Sequence, residues 1–155
     1  MITRSLDNAL KRIISGVYVI TTRAGDIING MTAAWVTRVS FNPPMLCVAI
    51  GKTRYTHELI EKSGVFAVNI LGENQIDLGK HFGFKSGRDF NKFQGIPYET
   101  EKTGSPILKD TAGYLDCEVR NSCDAGDHTI FVGKIVSAGV NPEIRPLIYR
   151  REDFF

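Results

Sequence analysis

The β-forming runs of this chain follow one another through short links, and that constrains the fold more than any other feature of the sequence. Val17-Tyr18-Val19-Ile20-Thr21-Thr22 leads through the turn Ala24-Gly25-Asp26 to Ile27-Ile28, which opens a return strand. Met45-Leu46-Cys47-Val48-Ala49-Ile50 follows after Asn42-Pro43-Pro44. Parallel neighbours need a crossover of about a dozen residues or more, so strands joined this tightly favour antiparallel pairing. Met45–Ile50 is a continuous apolar run, predicted to be a strand buried on both faces, and Val65–Leu71 is predicted to be another buried strand. Tyr114–Arg120 alternates apolar and polar residues, as a half-exposed strand does. Cys123–Asp127 reads as a turn, Thr129–Ala138 as the last long strand, and Leu147-Ile148-Tyr149 as a short one.

Helical signals are few. Ser5–Ile14 has a capping serine, Asp7 in its first turn, and Leu6, Leu10, Ile13 and Ile14 on one face. Tyr55–Lys62 turns Leu59 and Ile60 inward and leaves His57 on the surface, and Gln75–Phe82 has Ile76, Leu78 and Phe82 as its apolar side. Between Gly83 and Gly113 the periodicity breaks up, which predicts loops with a helical turn near Arg88–Phe93 and a functional or interface role. The class these elements predict is mainly β: an antiparallel β-barrel with a few peripheral helices, one domain over 1–155.

The totals exclude several functions. There are 155 residues, 43% of them hydrophobic, enough for one core. With 19 basic and 17 acidic residues the net charge is +2, which offers no footprint for nucleic acid. No apolar run approaches the roughly 20 residues that span a bilayer, and Met1-Ile2-Thr3-Arg4-Ser5 has no leader-like apolar core, so the expected location is the cytoplasm and no membrane contact is expected. Cys47, Cys117 and Cys123 form no disulfide framework; the first two read as core residues and the third as a turn residue. No Cys-x-x-Cys or His-x-x-x-His spacing marks a metal site, and no catalytic Ser-His-Asp elbow, P-loop or dinucleotide fingerprint occurs.

One stretch is odd for a plain strand. Asn29-Gly30-Met31-Thr32-Ala33-Ala34-Trp35-Val36-Thr37-Arg38-Val39-Ser40 holds the only tryptophan, and its small residues leave the backbone uncovered for a flat ligand. Lys52-Thr53-Arg54-Tyr55-Thr56 stands just before a helix, where free N–H groups attract anions; Thr53 or Thr56 also suits a helix cap, and the two roles are compatible. Lys85-Ser86-Gly87-Arg88-Asp89-Phe90-Asn91-Lys92-Phe93 gathers three cations around a glycine, and its charge alone reads as a solvated loop.

These pieces, together with Gly16–Thr22, Val39–Pro44, Phe66–Leu71 and Gly126-Asp127-His128, occur in one order over residues 10 to 150, and in that order the chain resembles the flavin reductase-like family, in its flavoredoxin-like branch. The resemblance implies an FMN-binding split barrel, a six-stranded Greek key, as a homodimer with flavin near the interface. It implies FMN as cofactor, with FAD possible, and NADH or NADPH as substrate. It places Thr32-Ala33-Ala34 against the flavin ring, with Met31, Val36 and Ser40 in the same binding segment. Asn29 reads either as a hydrogen-bonding partner of the flavin or as a turn residue, and Trp35 as stacking on the ring or as a core or interface aromatic. Lys52, Thr53, Arg54 and Thr56 fit the phosphate, Lys92 is a further phosphate candidate and Arg88 a weaker one. His128 is expected near flavin and nicotinamide, its tautomer fixed by Asp127 or the turn merely closed by it.

The expected activity is hydride transfer from NAD(P)H to flavin N5. The other reading is an electron-transfer flavoprotein whose prosthetic FMN is reduced by an iron–sulfur protein or rubredoxin. A monooxygenase or redox protein is the expected electron partner. The irregular arm and the Phe154-Phe155 tail are expected to bury on a second subunit, or the tail to cover a flavin.

Overall fold

The computed structural model describes residues 3–155; Met1 and Ile2, the first residues of the segment read as lacking a leader, lie outside that range. Helix α1 (Arg4–Leu10) is capped by Thr3, whose hydroxyl accepts from Leu6 N at 3.1 Å. The cap therefore lies two residues before the predicted Ser5, and the helix ends well short of Ile14. Leu6, Leu10, Ile13 and Ile14 are all exposed, so no packing rewards extending the helix through two β-branched residues.

The strands are β1 (Tyr18–Ala24), β2 (Ile27–Ala33), β3 (Val36–Ser40), β4 (Met45–Gly51), β5 (Val65–Ile70), β6 (Tyr98–Thr100), β7 (Pro106–Leu108), β8 (Gly113–Ala125) and β9 (His128–Val140). Seven of them form one antiparallel sheet in the order β2-β1-β5-β8-β9-β4-β3, one strand more than the expected six. Its two edge strands, β2 and β3, are neighbours in sequence, separated only by Ala34 and Trp35. Three Cα steps reach about 11 Å at most. The two edges must therefore meet, and the sheet curls into a barrel whose open seam is spanned by Ala34-Trp35. Barrel closure by sequence-adjacent edges is the reason the odd stretch sits where it does.

Ile20, Met31, Leu46, Val48, Ile50, Ile60, Phe66, Val68, Cys117 and Phe131 fill the barrel interior. Helix α2 (Tyr55–Ser63) adds Leu59 and Ile60 as predicted and ends at Gly64. In β4 the apolar run is not buried on both faces: Leu46, Val48 and Ile50 are buried, while Met45, Cys47 and Ala49 are half-buried. An all-apolar run cannot announce which of its faces the rest of the chain leaves uncovered.

A second core lies outside the barrel, where Val17 and Val19 meet Leu71, Phe82, Phe93, Leu108, Leu147 and Phe154. It joins helix α3 (Ile76–Gly83), the segment 84–112 and the C-terminal helix α4 (Arg151–Phe154). The predicted arm is thus tied down on its own chain. Thr21 Oγ1 donates to Pro106 O at 2.6 Å, Leu108 N to Asn69 Oδ1 at 2.8 Å, and Thr103 N to Asp116 Oδ2 at 2.9 Å. Phe154 is buried in this core, and Phe155 alone is exposed. The expected turn at Cys123–Asp127 shrinks to Gly126 and Asp127, because β8 pairs with β9 out to Ala125↔His128. Gly126 takes φ +62°, a left-handed value that glycine accepts without strain.

Candidate functional site

A cleft of about 750 Å³ opens at the barrel seam. One side of it is formed by Met31, Thr32 and Ala33 at the end of β2 and then the Ala34-Trp35 link. Thr32, Ala33 and Ala34 have small side chains, which leave room for a flat guest to come close to the main chain. Ala49 and Gly51 of β4, Thr53 and Arg54, the β8–β9 turn with Asp127 and His128, and the tail residues Tyr149, Phe154 and Phe155 complete the walls. Thr32 Oγ1 donates to Gly79 O at 2.5 Å, which fastens the platform to α3.

A smaller polar cavity of about 300 Å³ continues from it, the two sharing Met31, Thr53, Arg54, Gly83 and Phe84. Asn29, Tyr55, Thr56, Lys85, Ser86, Gly87 and Lys92 complete its walls. Arg54 is the N-cap position of α2 and makes no side-chain cap; His57 N donates to Arg54 O at 3.1 Å, and the N–H groups of Tyr55 and Thr56 at the start of that nine-residue helix are left for a guest. Asn29 is buried and donates from Nδ2 to Thr56 Oγ1 at 3.0 Å, which leaves its carbonyl oxygen in the cavity wall. A Cβ on Gly87 would run into that carboxamide, so the 84–92 loop approaches Asn29 as only glycine allows.

Lys92 is buried, with Nζ donating to Gly30 O at 2.8 Å and to Phe82 O at 2.9 Å. An ammonium has three donors, so one is left over. Burial, and then the Arg54 charge, push its pKa down to about 8. Among the described residues neither Lys92 nor Arg54 has a carboxylate within ion-pair distance. Two cations beside a free helix N-terminus suit a phosphate.

At the other end, His128 Nδ1 lies 2.6 Å from Asp127 Oδ1, and the hydrogen bond from His128, then its charge, hold the Asp127 carboxyl below its ordinary range. The Trp35 ring stands 4.6 Å from that of His128, tilted by 42°. Trp35 is 60% exposed and lines the cleft mouth, so it is not a core aromatic.

Of the residues singled out in the sequence, Asn29, Met31, Thr32, Ala33, Ala34, Trp35, Thr53, Arg54, Thr56, Lys92 and His128 come together in these two spaces. Four others line neither. Val36 packs into the barrel core, and Ser40 ends β3 at the far end from the seam. Lys52 pairs with Asp124 at 3.3 Å, and Arg88 with Glu58 at 3.6 Å while lying over the Tyr55 ring. His57, expected on the surface, is buried: its Nε2 meets Thr129 Oγ1 at 2.7 Å and its ring meets that of Phe131 edge-on at 5.3 Å. Phe84, Gly51 and Tyr149 line the cleft without having been singled out. Tyr149 arrives through pairing of Gly16 with Ile148, a contact across the whole chain that no local pattern signals.

The burial-raised Cys117 thiol, pushed up to about 12, is inert, and all three cysteines are free. Among the described residues no group of three or more His, Cys, Asp or Glu side chains is placed to hold a metal ion, and no helix is long and apolar enough to cross a membrane.

The chain is similar to several known proteins. The high molecular weight rubredoxin of Moorella thermoacetica is 38% identical over 143 residues, 91% of this chain; the chain spans 62% of that protein's length. The flavin-dependent monooxygenase reductase subunit HsaB of Mycobacterium tuberculosis is 33% identical over 153 residues, 97% of this chain and 80% of that one. In structure, the Streptomyces globisporus NADH:FAD oxidoreductase SgcE6, solved with NAD and FAD fragments, superposes with a TM-score of 0.85 at 27% identity, over 96% of this chain and 91% of that one. The model of the flavin reductase like domain matches residues 10–155, and with that match over nearly the whole chain the protein belongs to the flavin reductase-like domain family.

Proposed function

We propose that this chain binds FMN across the joined cavities and works as an NAD(P)H:flavin oxidoreductase. One observation carries the reading: an apolar slot bordered by the small residues Thr32, Ala33 and Ala34 runs directly into a pocket with two uncompensated cations at a helix N-terminus. A flavin has that shape and polarity, a flat ring joined to a phosphate. Its single phosphate matches the Arg54–Lys92 pocket, which favours FMN; FAD is the alternative guest.

When bound, the flavin supplies the redox chemistry, taking a hydride at N5 from NAD(P)H. The protein's own groups bind and orient. Arg54, the leftover donor of Lys92 and the free N–H groups of α2 hold the phosphate. Asn29 Oδ1 accepts from the ribityl chain, positioned by its bond to Thr56. The backbone of Thr32–Ala34 faces the ring and offers N–H groups to the edge that becomes anionic on reduction. His128, with Nδ1 taken by Asp127, presents Nε2 to the reductant. No side-chain nucleophile is needed.

The similarity to a rubredoxin of which this chain spans 62% favours one further reading, in which the reductant is a small iron–sulfur protein. Similarity to a monooxygenase reductase subunit supports a monooxygenase as the electron acceptor. The exposed apolar face of α1 supports a homodimer, and free thiols suit a reducing compartment such as the cytoplasm. The whole span 1–155 is then one flavin-binding domain.

Titration of flavin-free protein with FMN tests the binding directly. Saturable quenching of flavin fluorescence at micromolar concentration is the expected result, and no binding of FMN or FAD would reject the reading.

A further inference from the structure

Trp35 is the chain's only tryptophan, and it is left 60% exposed at the mouth of the cleft. An indole left this open at a cleft presents a large flat face on which a planar guest can lie. In the flavin reading the small residues Thr32, Ala33 and Ala34 meet the ring, which leaves the indole to another guest. What the indole does touch is His128, ring to ring at 4.6 Å. The imidazole is thereby held from two sides, by Asp127 at Nδ1 and by Trp35 on its face. With the Asp127 carboxylate accepting at Nδ1, the neutral ring carries its proton there and leaves Nε2 as an acceptor; this tautomer is assigned from the contact. Nε2 points toward Gly51, itself a cleft residue, standing 3.9 Å from where a Cβ on Gly51 would lie. Indole and imidazole together make one wall, with an aromatic face and a hydrogen-bond acceptor side by side.

That combination matches a planar heteroaromatic carboxamide: the ring lies against the wall, and the amide N–H donates to Nε2. We propose that Trp35 is a positioning residue for the nicotinamide of the reductant, holding the His128 ring in register and presenting the face along which the nicotinamide lies. This rests on the flavin-binding reading above and deepens it by naming the residue that seats the second guest.

The only tryptophan makes the test direct. In FMN-loaded wild-type protein, nicotinamide mononucleotide is expected to change Trp35 emission saturably, and AMP is expected not to. Trp35→Leu is expected to keep the FMN dissociation constant within about twofold of wild type. The NADH concentration for half-maximal flavin reduction is expected to rise about tenfold, the size of one lost stacking contact. Trp35→Phe, which keeps a stacking ring, is expected to recover most of that loss. Wild-type FMN affinity in Trp35→Leu with an unmoved half-saturation would overturn the proposal and leave the flavin reading standing. So would a loss of FMN affinity as large as the loss for NADH, since the indole would then serve the flavin. Wild-type protein that binds no flavin would overturn both.

Discussion

Lys92 shows how far a residue's setting changes its meaning. In sequence it closes a charged loop and reads as solvated; in the fold it is buried, with two of its donors spent on Gly30 O and Phe82 O. Nothing local announces this, because the carbonyls come from β2 and from the end of α3. Its pKa of about 8 lies below the ordinary 10.5, so between these values the unfolded chain binds the proton more readily than the folded one. Stability from this group is therefore lowest below about pH 8 and rises with pH toward 10.5. Phosphate binding has the opposite sign, since it needs the charged amine. FMN affinity is expected to fall as pH rises past about 8, and Lys92→Met to weaken FMN about 10- to 100-fold at pH 7 and to flatten that dependence, as fluorescence titrations over pH will read. His128 acts at the other end: His128→Ala is expected to slow flavin reduction about tenfold or more and leave FMN affinity within about twofold. A fall in FMN affinity of the same size would move His128 to the flavin's own shell.

Among the elements, α2 and the strands at its base were the most legible. The apolar pair Leu59 and Ile60, the glycine after Ser63 and the polar run before Tyr55 are all local signals, and the helix runs as they indicate. The segment 84–112 was the least legible, because tertiary bonds hold it rather than periodicity: Asn69 Oδ1 accepts from Leu108 N, and Asp116 from Thr103. Its functional part is the approach of Gly87 to Asn29. Gly87→Ala pushes the Asn29 carboxamide aside and strains its bond to Thr56. The expected result is about tenfold weaker FMN binding with little loss of melting temperature, since the loop lies outside the barrel core. Unchanged FMN affinity would show that the polar cavity does not hold the phosphate.

At the scale of the whole molecule, closure was only partly readable. Short links dictated antiparallel strands, but the meeting of β2 and β3 across Ala34-Trp35 depends on a sheet order that no local pattern specifies. That seam brings the small residues Thr32, Ala33 and Ala34, the α2 N-terminus and the β8–β9 turn to one place. Leu6 and Leu10 of α1, and Ile13 and Ile14 just beyond its end, are exposed apolar side chains. Sedimentation at micromolar concentration is expected to give a dimer, and paired Ile13→Asp and Ile14→Asp substitutions a monomer; a wild-type monomer would contradict the homodimer. The flavin proposed for the seam cleft takes its electrons from a nicotinamide. Anaerobic rapid mixing of FMN-loaded protein with NADH, and separately with NADPH, tests it most directly. Rapid loss of the flavin's visible absorption with at least one of them is the expected result; bleaching only by a reduced iron–sulfur protein, or by no donor, would contradict it.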